Sequence, residues 1–186
     1  MIDVAQLRRG TTFEHEGELL KVIDFEHRKM GRGNATIRVK VRNMRTGSRY
    51  EVTFTSGQRV EDVRLEKRMF EYLYDDGAFL VFMDKETYGQ IQVAHAVLED
   101  DRGYLKDNLE VELLSYEDEI LDYELPVTVE MTVIDSENAV AGDTATGSTK
   151  EVTLETGLKV RTPLFVKTGD VVRVDTRTGE YLTRVN

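Results

Sequence analysis

The chain has 186 residues, 40% of them apolar, no cysteine, and a formal net charge of -10. No apolar run approaches the ~20 residues of a membrane-spanning helix, and the opening MIDVAQLRRG lacks the apolar core of a secretory leader. Disulfide and thiol chemistry are excluded, so the expectation is a cytoplasmic protein of one large domain or two to three small ones.

The charge is uneven. Residues 1–63 hold 12 Lys and Arg against 9 Asp and Glu, a net of +3, which leaves -13 for the remainder. One end of the molecule is therefore suited to an anion, and the body is not.

Along the chain, period-two alternation of β-branched residues dominates and helical periodicity is nearly absent. Phe13 to Gly17 (FEHEG) reads as a turn, and Leu19 to Glu26 (LLKVIDFE) as a strand. The stretch His27 to Tyr50 follows, with Arg28, Lys29, Arg32, Arg38, Lys40, Arg42, Arg45 and Arg49 and no Asp or Glu. Within it, Thr36 to Arg42 (TIRVKVR) is the clearest strand: Ile37, Val39 and Val41 face one side, and Arg38, Lys40 and Arg42 the other. Tyr50 to Phe54 forms the next strand, after a turn at Thr46-Gly47. Residues 1–63 thus read as a small antiparallel SH3-like barrel.

Strands over 19–28 and 35–42 carry the loop from Lys29 to Asn34 away from that barrel, since eight strand residues span roughly 25 Å. Gly31 and Gly33 flank Arg32 and permit a tight tip and close approach by another backbone or a nucleotide. Arginine's planar, permanently charged fork suits phosphates, 2′-hydroxyls and exposed bases. A plain solvated strand face accounts for Arg38 or Lys40 singly. It accounts less well for eight cations without an acid, because mixed charge is the default for such a face.

A second unit begins near Arg64. Phe70–Tyr74, Ala78–Met83, Gln90–Val93, Leu109–Leu114 and Glu119–Leu125 read as strands, with a hairpin signal at Asp75-Asp76-Gly77. Pro126 marks a seam. Val127–Ile134, Lys150–Leu154, Lys159–Arg161, Val171–Asp175 and Tyr181–Val185 supply five more. The expected domains are 1–63, 64–126 and 127–186. Two five-stranded sets suit OB-like barrels; from the pattern alone, a pair of unclassified β-sandwiches fits as well.

Several stretches resemble catalytic motifs without their chemistry. Gly142 to Gly147 has the glycine spacing of a phosphate-binding loop, yet Ser148 stands where lysine belongs and the continuation alternates like strands. A Gly-rich loop between two barrel strands is the better reading, and because OB-fold loops commonly touch nucleic acid it is a binding candidate. The acidic run Glu117-Asp118-Glu119 with Asp122 and Glu124 reads as a solvated hairpin, not a carboxylate pair. His15, His27 and His95 have no metal-ligand spacing. Tyr72, Tyr74, Phe79 and Phe82 suggest a base-stacking platform, but their alternation assigns most of them to core packing.

Taken in order, these stretches resemble the bacterial translation elongation factor P family over essentially the whole chain. MIDVAQLRRG is similar to the family's opening, HRKMGRGNATIRVKVRNMRTG to its basic hairpin, and FEYLYDDGAFLVFMDKETYGQ to its second domain. GDTATGSTKEVTLETGLKV and PLFVKTGDVVRVDTRTGEYLTRV are similar to its third domain. The sequence departs at Lys150-Glu151-Val152, where the family usually has Lys-Pro-Ala, and at Thr162-Pro163, where it usually has Val-Pro. The resemblance implies an all-β chain: an N-terminal KOW/SH3-like barrel and two OB-fold barrels, L-shaped and tRNA-like. It implies ribosome binding beside the peptidyl-tRNA, stimulated peptide-bond formation and relief of stalling at consecutive prolines, without enzymatic turnover. On that reading Arg32 reaches the CCA end of the peptidyl-tRNA and is open to a modifying enzyme. Arg28, Lys29, Gly31, Gly33, Arg38, Lys40 and Arg42 lie against tRNA and rRNA. Gly142, Asp143 and Thr144 lie near the exit-site codon of the mRNA. The expectation is a monomer without cofactor, metal ion or membrane attachment. The competing reading is a general single-stranded RNA-binding OB protein.

Overall fold

Alternating apolar residues can bury one face of a strand only if strands pair, and among the described residues sixteen strands do so in three sheets. The structure, a computed structural model, describes residues 1–28, 35–137 and 148–185; the side chain of Arg28 is outside that description. The strands are β1 (Ile2–Asp3), β2 (Thr12–His15), β3 (Glu18–Arg28), β4 (Thr36–Asn43), β5 (Arg49–Thr55), β6 (Arg59–Asp62), β7 (Glu66–Asp75) and β8 (Phe79–Asp84). They continue with β9 (Gln90–Ala94), β10 (Glu110–Tyr116), β11 (Glu119–Glu124), β12 (Thr128–Ser136), β13 (Thr149–Leu154), β14 (Lys159–Pro163), β15 (Val171–Asp175) and β16 (Tyr181–Val185). The sheet orders are β1-β6-β2-β3-β4-β5, β11-β10-β7-β8-β9 and β14-β13-β12-β15-β16. Among the described residues, helical structure is confined to short 3-10 turns, and no helix is long and apolar enough to cross a membrane.

The chain divides into two compact units. The first comprises Met1–Lys67 and Leu114–Asp122. Its main core gathers Val4, Leu7, Phe13, Leu20, Val22, Ile37, Val39, Val41, Phe54 and Val60. A second, smaller cluster holds Leu19, Met44 and Leu121, with Val63, Leu65 and Tyr116 packed against it. The Leu19-Leu20 pair therefore buries both faces of β3 at its start, one leucine in each cluster. FEHEG is not a turn throughout. Phe13 is fully buried, which draws Thr12–His15 into β2 and leaves Glu16 and Gly17, with φ of 52° and 79°, as the turn. The short β1 and β6, which lack an alternating run, complete the sheet through Ile2 opposite Val60.

The second unit comprises Arg68–Leu113 and Tyr123–Asn186. Tyr72 and Phe82 are buried and meet edge to face at 5.5 Å, whereas Tyr74 and Phe79 are exposed. In the C-terminal sheet, Val129, Met131 and Val133 alternate into a core with Val152, Leu154, Val172 and Val174. Pro163 closes β14 at the edge of its sheet, where a missing N–H costs no ladder bond. Thr162 is fully buried, and its hydroxyl reaches the carbonyl of Pro163 at 3.3 Å.

Candidate nucleic-acid interface

The ladder β3-β4-β5 carries the basic stretch. Along β4, Ile37, Val39 and Val41 are buried at 1% exposure or less, while Arg38, Lys40 and Arg42 stand on the opposite, outer face. Register fixes their neighbours. Arg42 lies between Lys21 and Arg49, Lys40 between Asp24 and Glu51, and Arg38 between Glu26 and Thr53. The Cα of Arg28 is opposite Thr36, the last described pair of the hairpin. Lys29, Gly31, Arg32 and Gly33 lie outside the described residues, as do Gly142, Asp143 and Thr144. The structure thus brings Arg38, Lys40 and Arg42 together on one face with Lys21 and Arg49.

The outer face is not free of acids. A β-bulge between Val22 and Asp24 inserts Ile23 as an unpaired residue. Inward-facing Val22 and Phe25 then both keep their positions opposite Val41 and Val39, while Asp24 and Glu26 join the outer face. Glu51 on β5 completes the acidic component, and its carboxylate lies 3.6 Å from the Arg38 guanidinium. The cationic density is therefore graded. It is neutralised in part at Arg38, intermediate at Lys40 and highest at Arg42, whose two cross-strand neighbours are both cations. Lys40 and Arg42 form no ion pair among the described residues.

Beyond Arg42 the charges turn structural. Lys21 Nζ donates to Asp122 Oδ2 at 2.5 Å, and Arg45 Nε to Glu119 Oε2 at 3.1 Å. Asp122 is 5% exposed, so this acid is not part of a merely solvated hairpin. Burial of its carboxylate is balanced by the ammonium. Glu117 and Asp118 do form the expected turn, both with positive φ. The Tyr50 hydroxyl donates to the Glu18 carboxylate; burial, then that hydrogen bond, pushes its pKa up to about 12. It is thus a neutral donor at physiological pH. Among the described residues, no three His, Asp or Glu side chains gather at metal-binding distance.

Three family models match the chain in succession. The elongation factor P KOW-like domain covers residues 3–60, the elongation factor P OB domain 65–123, and the elongation factor P C-terminal domain 129–184. A protein named Elongation factor P from Moorella thermoacetica is 46% identical over 184 residues, 99% of this chain and all of that protein. Its namesake from Pelotomaculum thermopropionicum is also 46% identical, over the full length of both chains. Among solved structures, a eukaryotic translation initiation factor 5A from Methanococcus jannaschii superposes with a TM-score of 0.52 at 22% identity. That match covers 67% of this chain and 90% of the other, and it bears on the fold alone.

Proposed function

The chain belongs to the elongation factor P family and is a translation elongation factor, and from that premise we propose that it acts on the ribosome through its basic hairpin. It binds next to the peptidyl-tRNA and stimulates peptide-bond formation where consecutive prolines stall synthesis. The observation that carries the reading is the cationic outer face of β4, whose density rises toward Arg42 and where, among the described residues, Lys40 and Arg42 form no ion pair. The ribosome, the tRNA acceptor end and rRNA offer the phosphates such a face needs. Its place of action is the cytoplasm. The junctions near residues 63 and 126 separate the KOW-like, OB and C-terminal domains.

Proline is a poor nucleophile, and its ring restrains the nascent chain. Reacting groups misplaced by about 1 Å can lose ~100-fold in rate. A finger that orders the tRNA end recovers alignment without chemistry of its own. In this proposal Arg32 meets the CCA end, bare or enzymatically modified. Arg28, Lys29, Arg38, Lys40 and Arg42 hold nearby phosphates, and Gly31 and Gly33 allow close approach. Gly142, Asp143 and Thr144 lie near the exit-site codon.

The test is reconstituted translation of a template encoding three consecutive prolines. Full-length product is compared with no factor, recombinant protein, protein purified from its own cells, and the Arg32→Ala variant. Arg32→Ala is expected to abolish rescue while ribosome binding survives; equal rescue by that variant sinks the assignment of the tip. Rescue by native protein alone places a modification at the tip. No rescue by either preparation, with tight binding to free oligonucleotides, favours single-stranded RNA binding instead.

A further inference from the structure

We propose that Arg8 is a positioning residue for the basic hairpin, holding the projecting part of β3 through Phe25; this rests on the ribosomal reading above. The outer edge of β3 offers a place for such a support. Pairing between β2 and β3 ends at Thr12 opposite Lys21. One residue further, Val22 exchanges backbone bonds with Thr11 and Gly10, at 2.9 and 2.8 Å. From Asp24 to Arg28, β3 is paired among the described residues on one edge only, with β4. β5 backs β4 over the same span, from Thr55 opposite Thr36 to Glu51 opposite Lys40, so this part of β3 is the edge strand of a three-stranded sheet, and an edge strand is held less firmly than one paired on both sides.

Arg8 lies across that open edge. Its guanidinium carbon sits 5.4 Å from the centroid of the Phe25 ring. Its Nη1 donates to the carbonyls of Ala5 at 2.9 Å and Leu7 at 2.8 Å. Those carbonyls belong to the 3-10 turn Val4–Gln6 and its C-cap, pinned in the core by Val4 and Leu7, each 1% exposed. Phe25 in turn meets His27 edge to face, at 5.7 Å and 84°. The path thus runs from the core through the 3-10 turn, Arg8 and Phe25 to His27, one residue before the last described pair.

Arg8 is not one more phosphate ligand. Phe25 pairs with Val39 on the inner side of the ladder, opposite the face of Arg38 and Lys40. Among the described residues Arg8 makes no ion pair; it is committed to two carbonyls and a ring. A planar cation that stacks on a ring while one of its nitrogens donates to two carbonyls is an arginine property, and lysine reproduces only part of it.

The experiment uses the full-length protein with Arg8→Met, which keeps the aliphatic stem, and Arg8→Lys, which keeps the charge. The triproline assay yields a maximal rescue rate and a half-saturating factor concentration, and NMR of the free protein follows the Phe25 and His27 ring signals. Arg8→Met is expected to lower the maximal rate about two- to fivefold, the weight of one exposed cation–π contact. The half-saturating concentration stays unchanged, both ring signals shift, and Arg8→Lys restores part of the rate. An undiminished rate overturns the proposal. So does a raised half-saturating concentration at the same maximal rate, which makes Arg8 an RNA contact. Unmoved ring signals overturn it too. A wild-type protein that rescues nothing removes the ribosomal reading and this inference with it, whereas the other adverse results, beside an active wild type, overturn this inference alone.

Discussion

Glu51→Gln should make the protein bind ribosomes more tightly. Glu51 stands opposite Lys40 in the ladder, and its carboxylate lies 3.6 Å from Arg38, with both side chains about 40% exposed. An exposed ion pair of this kind is worth roughly 0.2–1 kcal/mol. RNA must break that pair before Arg38 can take a phosphate, so its removal should tighten binding by up to about fivefold. Should the freed guanidinium neutralise one more phosphate, the log–log slope of affinity against salt steepens by ~0.7–0.9. The register makes a second, opposite expectation. Arg42→Ala, lying between Lys21 and Arg49, should lose about one such increment, whereas Arg38→Ala should lose much less. The assay is cosedimentation of labelled protein with ribosomes over a series of KCl concentrations. Asp100→Asn, an exposed neutralisation in the second compact unit, serves as the charge control. Affinity of Glu51→Gln that equals the wild type at every salt concentration, or falls below it, would refute the placement of this face against phosphate. Equal gains from Glu51→Gln and Asp100→Asn would reduce the effect to net charge.

Asp122→Ala strands Lys21. A fully buried pair broken in this way costs ~3–5 kcal/mol, and because the Lys21 side chain is 34% exposed the expected loss is about 1–3 kcal/mol by urea unfolding; a loss under about 0.5 kcal/mol would contradict the account. Phe82→Ala removes a fully buried ring from the second sheet and should cost about 3–5 kcal/mol in the same measurement, with a surface-like value refuting its core role. Asp175 is held at a pKa of about 2, below its ordinary 3.8, first by the Arg177 guanidinium and then by the Arg177 N–H. Because the folded-state value is depressed, its stabilisation is present above pH 3.8 and is lost as the pH falls toward 2. Asp175→Asn should therefore flatten the decline of the thermal midpoint between pH 4 and 2, and superimposable profiles would count against the Arg177 pairing.

Most of the fold was legible because the long strands announce themselves. TIRVKVR alternates without interruption, and its inner and outer faces are those its letters specify. The elements that escaped are short or irregular. RVED offers a single apolar residue, Val60, too little for a period, and FEHEG hides a strand because its polar residues outnumber Phe13. The candidate site shows a different failure. Strict alternation through LLKVIDFE puts Val22, Asp24 and Glu26 on one face, and no propensity marks the bulge at Ile23 that separates them. The bulge is a tertiary choice: it lets Val22 and Phe25 both face the core while Lys21, Asp24 and Glu26 share the other side. An acid-free stretch of sequence thereby becomes an acid-edged face in space, because cross-strand neighbours come from outside the stretch. That distinction changes the physical reading of the site. A uniformly basic face would hold any polyanion with comparable strength. Here Glu26, Asp24 and Glu51 temper the positions toward the hairpin's far end, and the uncompensated charge sits at Arg42. On the proposed reading, affinity and placement can then be tuned separately: Arg42 would set how tightly the face holds phosphate, and the tempered positions Lys40 and Arg38 would limit adhesion further along the ladder.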